Sequence, residues 1–153
     1  MALDSSAPPE SRLAVLVVSP REDCLSSLKT ALAHSSYNLC VANGAAEAKE
    51  ILGRTSIPVI LCESELPDGN WQDLSAAVAE LENPPLIVVT SRLADEFLWA
   101  EVLNLGGYDV LAQPFNSIEV GRVMSMACRR WHDRWKKSGG EAPGLQRLTA
   151  APS

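Results

Sequence analysis

The chain has 153 residues, 46% of them hydrophobic, and a formal net charge of −6 at pH 7. That length suits one domain with a substantial core, and the composition is that of a globular chain rather than a disordered or fibrous one. No apolar run reaches the roughly 18 residues a membrane-spanning helix needs. Asp4 and Glu10, rather than Lys or Arg, precede any apolar run, so no secretory signal is expected.

Residues 1–12 read as a flexible leader. Leu13 to Val18 is a continuous apolar run of strand length, the pattern of a strand covered on both faces. Ser19 and Glu22 form an S-x-x-E capping box with Pro20 at the first helical position. A helix is therefore expected to start there and to bury Leu25, Leu28 and Leu32. Tyr37 to Ala42 is a second strand, and Asn43-Gly44 turns into a short helix, Ala45 to Leu52, with Gly53 as its stop.

Ile57 to Cys62 is the third strand, leading into the loop Glu63-Ser64-Glu65-Leu66-Pro67-Asp68-Gly69. A third helix follows from about Asn70 to Leu81, broken by Asn83-Pro84-Pro85. Leu86 to Thr90 is another apolar strand, and the fourth helix spans about Leu93 to Leu105 before Gly106-Gly107 ends it. Tyr108 to Ala112 is the fifth strand, and a last helix runs from about Ser117 to Lys136. Residues 138–153, rich in Gly, Pro and Ala, read as a flexible tail, which leaves 13–137 as the domain.

Strands that alternate with helices through short connections build a parallel sheet with helices on both faces, a flavodoxin-like α/β fold. In such sheets the ligand crevice lies outside the carboxyl ends of the strands. That rule picks out Ser19-Pro20, Glu63, Thr90-Ser91 and Gln113-Pro114. No Gly-rich GxGxxG or Walker loop is present, so no nucleotide cofactor is expected.

Cys24, Cys40, Cys62 and Cys128 form no CxxC pair, and His34 and His132 lack finger-like spacing from them. Free buried thiols, with no metal, are the expectation for a cytoplasmic chain. Cys62 beside Glu63 is a poor nucleophile, because a neighbouring acid raises a thiol pKa; no enzymatic activity is expected. Arg122, Arg129, Arg130, Arg134, Lys136 and Lys137 fall in one short stretch, opposed there only by Asp133. Complementing the negative helix end accounts for most of that cluster, and a nucleic-acid patch is the sharper alternative.

Several segments, in order, are similar to the response-regulator receiver family along Leu13 to Trp131. Val17-Val18 precedes the place where receivers hold an acidic pair, and Val41-Ala42-Asn43-Gly44 resembles the usual end of their second strand. The loop Glu63 to Gly69 resembles the phospho-acceptor loop. Val88-Val89-Thr90-Ser91 and the segment from Gly106 to Phe115 resemble the hydroxyl strand and the Lys-Pro-Phe segment. The resemblance implies a five-stranded parallel sheet in the order 2-1-3-4-5 and a role in phosphorelay, or two-component, signal transduction.

It also implies a site, and the site is degenerate. The acidic pair falls on Ser19 and Pro20, the acceptor Asp on Glu63, the Lys on Gln113 and the switch aromatic on Val110; Thr90 alone keeps its type. Pro114 matches the family's proline, which resembles a cis-peptide site. Without carboxylates at the pair, Mg²⁺ binding is expected to be lost. Glu63 is either a fixed, partial imitation of a phosphorylated side chain or a solvated acid at a strand end.

The remaining surface points to contacts. Ala94, Leu98, Val102 and Leu105 form the expected buried stripe of the fourth helix, which turns Trp99 and Leu103 outward. In receivers the fourth helix, fifth strand and fifth helix resemble the common output and dimer face. Trp99, Leu103, Val110, Trp131 and Trp135 are accordingly read as an interaction surface, for a signalling protein or a homodimer. The reading is a pseudo-receiver that acts by protein–protein contact. A working phospho-accepting receiver with substitute groups, a nucleic-acid binder through the basic helix, and a small-molecule sensor are the alternatives.

Overall fold

The computed structural model describes residues 13–33, 37–93 and 95–137, without the side chains of 135–137. The expected leader and tail lie outside the described residues, as do Ala94 and His34. Five strands, β1 (Ala14–Val18), β2 (Asn38–Ala42), β3 (Val59–Glu63), β6 (Leu86–Ser91) and β7 (Asp109–Ala112), form one sheet in the order β2-β1-β3-β6-β7. Every pairing in it is parallel. This is the expected 2-1-3-4-5 order once a small antiparallel hairpin, β4 (Glu65–Leu66) with β5 (Gly69–Asn70), is left out of the count. The sequence pattern did not foretell that hairpin.

The two-residue period of a strand divides the core into two layers. Leu16, Val18, Ile60, Cys62, Ile87, Val89 and Val110 face α2 (Ala45–Arg54), α3 (Trp71–Val78) and α4 (Glu96–Asn104), meeting Ala48, Trp71, Leu74 and Val102. Val15, Val17, Val59, Leu61, Val88 and Leu111 face α1 (Glu22–Ala31) and α5 (Ser117–Lys137), meeting Leu28, Val120, Met124 and Ala127. Both faces of the central strands are covered, which is why those strands read as unbroken apolar runs.

Some boundaries differ from expectation for local reasons. α1 begins at Glu22 behind Arg21, with no side-chain cap, so the Ser19 capping box does not form. The Ser19 N–H instead donates to the Ala42 carbonyl at 2.9 Å, prolonging the β1–β2 ladder. Gly53 lies inside α2, which ends at Arg54 with Thr55 as its C-cap, and α4 starts only at Glu96 because the Asp95 carboxylate accepts from the Leu98 N–H. Gly106, at φ +97°, does end α4. The Gly107 N–H then returns to the Val102 carbonyl at 2.7 Å. Leu105 is 52% exposed and does not belong to the buried stripe.

Two residues read as surface are core. Trp131 is 2% exposed, because the buried face of α5 continues through Met124, Ala127 and Cys128 to the next turn. Val110 packs in the layer beneath α4, where its short β-branched side chain ends before reaching solvent. The Trp135 side chain lies outside the described residues.

Candidate functional site

The parallel register sets Glu63 beside Thr90 at the carboxyl edge of the sheet. The Gln113 N–H, donating to the Ser91 carbonyl at 2.9 Å, brings the segment after β7 to the same edge. Ser19, the first residue after β1, completes the set, and Ser19 and Thr90 are both buried. The bond between Gln113 and Pro114 is cis. Four of the predicted site residues, Ser19, Glu63, Thr90 and Gln113, thus share one crevice. Pro20 is exposed and offers no ligand.

What joins them is Arg21, a residue the sequence reading passed over. Its Nε donates to Glu63 Oε2 at 3.2 Å, and its Nη2 donates to Gln113 Oε1. Gln113 in turn donates through Nε2 to Thr90 Oγ1 at 3.4 Å. Ser19 donates its hydroxyl to Glu63 Oε2 and accepts from the Arg21 N–H at 3.1 Å. Asp23 Oδ1 stands 3.8 Å from Arg21 Nε, and Arg92 Nη2 reaches Asp23 Oδ2 at 3.2 Å. Burial opposes the Arg21 charge, but Glu63 and Asp23 outweigh it and hold the guanidinium pKa above its ordinary value. The signal that could have found Arg21 is a charge balance: an acid at 63 without the family's Lys at 113 needs a cation nearby.

Glu63 is therefore no freely solvated acid: its side chain is only 13% exposed and its Oε2 carries two partners. The family's divalent cation does not fit this donor set. Mg²⁺ requires carboxylate oxygens in octahedral array. Ser19 and Pro20 supply no carboxylate, and a guanidinium already stands against Glu63. Among the described residues no cluster of three or more metal-ligating side chains occurs.

The loop after β3 has a separate task. Asp68 accepts from the N–H groups of Ala45 and Ala46 at 2.9 and 3.0 Å and so caps α2 from across the crevice. Those two donors hold its carboxyl below the usual range. Gly44 makes room for it, since a Cβ there would meet Asp68 Oδ1 at 2.7 Å. Cys62, with Sγ donating to its neighbour's carbonyl, has its pKa pushed up to about 12, first by burial and then by the Glu63 charge. That suits a packing thiol rather than a nucleophile.

The outer side of α4 and the turn before it carry Leu93, Phe97, Trp99 and Leu103, which are 80%, 85%, 52% and 41% exposed. On α5, Arg129 and Arg130 are exposed, while Arg134 donates to the Pro84 carbonyl and so anchors the helix.

Residues 15–123 match the model of the response regulator receiver domain. The chain is 28% identical over 134 residues to the transcriptional regulatory protein CpxR of Escherichia coli K12, covering 86% of this chain and 57% of that protein. It is 36% identical over 90 residues to the swarming motility regulation protein RssB of Serratia marcescens, covering 58% of this chain and 41% of that one. The chain thus spans about half the length of the curated relatives it matches. Among solved structures, the signal receiver domain of an HD domain-containing protein from Pseudomonas fluorescens Pf-5 superposes with a TM-score of 0.75 at 22% identity, covering 85% of this chain and 96% of that one. The beryllofluoride-activated NtrC4 receiver domain dimer gives 0.71 at 23% identity, covering 77% and 98%.

Proposed function

This chain belongs to the response regulator receiver domain family of two-component signalling, and from that premise we propose that it works without phosphorylation, as a protein-interaction module. The observation that carries the proposal is the state of Glu63: the side chain in the acceptor position is already bonded by Ser19 and Arg21, with no acidic pair beside it. Phosphoryl transfer depends on positioning and on a metal that neutralises developing charge. A Glu reaches one methylene farther than an Asp, and a misplacement of about 1 Å can cost roughly a hundredfold in rate. Gln113 is neutral and spends its carbonyl oxygen on Arg21.

The test is intact-mass measurement after exposure to acetyl phosphate and millimolar Mg²⁺. The expected result is an unchanged mass. A gain of one phosphoryl group that disappears in Glu63→Gln overturns the proposal.

With the phosphate switch gone, output rests on contacts the resting domain makes. We assign them to the α4–β7–α5 face, with Trp99 and Leu103 as anchors and either a signalling protein or a second copy as partner. The exposure of both side chains supports this reading. No helix among the described residues is long and apolar enough to cross a membrane, and we place the domain, residues 13–137, in the cytoplasm.

A further inference from the structure

We infer that Arg21 is the resident cation of the crevice, a tethered guanidinium that stands where the family implies an exchangeable metal ion and locks three segments of the carboxyl edge together. The inference rests on the reading of the site as one that is not phosphorylated, and names what holds it instead.

The first support is geometric. Arg21 belongs to the turn after β1, Glu63 ends β3 and Gln113 follows β7, at sequence separations of 42 and 92 residues. One side chain joins all three, and Gln113 extends the chain of contacts to Thr90 on β6. A planar guanidinium can do this because its N–H groups leave in different, fixed directions. Nε serves Glu63, with Asp23 on the same side, while Nη2 serves Gln113. Oxygens of two carboxylates and an amide are thus gathered around one positive charge.

The second support is electrostatic. An ion pair between freely exposed side chains contributes little, but this pair is not freely exposed: the side chains are 27% and 13% accessible. A carboxylate that far withdrawn from water is destabilising when its counter-charge is removed. The cation is also part of the chain, so it acts at the effective concentration of a tethered group, on the order of millimolar or higher, and cannot be washed out. The crevice is therefore held in one state whatever the free Mg²⁺.

The experiment is a thermal-unfolding cycle on the full chain: wild type, Arg21→Ala, Glu63→Gln and the double variant, each with and without millimolar Mg²⁺. Arg21→Ala is expected to lower Tm by about 4 °C or more, and adding Glu63→Gln should return more than half of that loss. Mg²⁺ should leave both the wild type and Arg21→Ala unmoved, because Ser19 and Pro20 supply no carboxylate for it. Additive losses in the double variant overturn the lock. A Tm of the wild type raised by Mg²⁺ overturns the claim that the guanidinium takes the metal's place. If Arg21→Ala does not fold, the double variant decides: a folded double variant supports the lock and an unfolded one overturns it. Phosphoryl labelling of the wild type would sink the functional reading alone, and is scored separately by mass.

Discussion

The carboxyl-edge crevice and the outer side of α4 are opposites. In the crevice Ser19, Arg21, Glu63, Thr90 and Gln113 meet one another's donors and acceptors. On α4, large apolar side chains stand in water, with Phe97 85% and Trp99 52% exposed. A polar network whose members already bond one another has less to offer a ligand, whereas exposed aromatic surface gains free energy by being covered. The difference teaches where to look for activity in this receiver. The crevice at the carboxyl edge is cross-bonded among its own residues, and the outer side of α4 is open.

The sharpest way to break that comparison is to exchange the roles of two tryptophans. Trp71 is 2% exposed beneath the hairpin that flanks the crevice, and Trp71→Ala should cost about 3–5 kcal/mol of stability, read by denaturant unfolding. Trp99→Ala should change stability by about 0.5 kcal/mol or less. A large loss at Trp99 would show that α4 packs its outer side against something within the chain, and the contrast between the regions would fall.

Next in size is the effect on association. Truncating Trp99 and Leu103 together should weaken self-association or partner binding by about 2 kcal/mol, roughly thirtyfold in Kd, with the fold retained. Sedimentation and a titration against the captured partner would measure it. If assembly is untouched in a folded variant, the interface lies on another face.

The smallest effect concerns the rim of the crevice and its pH dependence. The backbone donors of Ala45 and Ala46 hold the Asp68 carboxyl below its ordinary value. A carboxyl with a depressed folded-state pKa stabilises the fold above its unfolded value of about 3.9, and that stabilisation is lost as pH falls through the folded value. Asp68→Ala should therefore be less stable than wild type near neutrality, and the two Tm curves should converge on acidification below about pH 4. Parallel curves across that range would show that Asp68 does not cap α2 as an anion.

The five strands, the helices between them and the edge on which Ser19, Glu63, Thr90 and Gln113 meet all followed from local pattern. Burial on two faces demands unbroken apolar strands, and parallel pairing sends every strand's carboxyl end to one side. The absence of ligand charge at Ser19 and Pro20 was likewise legible, because it depends on residue type alone. Tertiary structure decided the rest. Ser19 was equally able to cap a helix or to turn into the crevice, and the carboxylate of Glu63, 44 residues away, settled the choice. Arg21 carried no motif, and its task arises only when Glu63 and Gln113 are brought to it. Trp131 differed from a surface residue only in how far the buried stripe of α5 extends. Local periodicity states which face of an element is apolar; only packing determines which distant partner a polar side chain finds and where a stripe runs out.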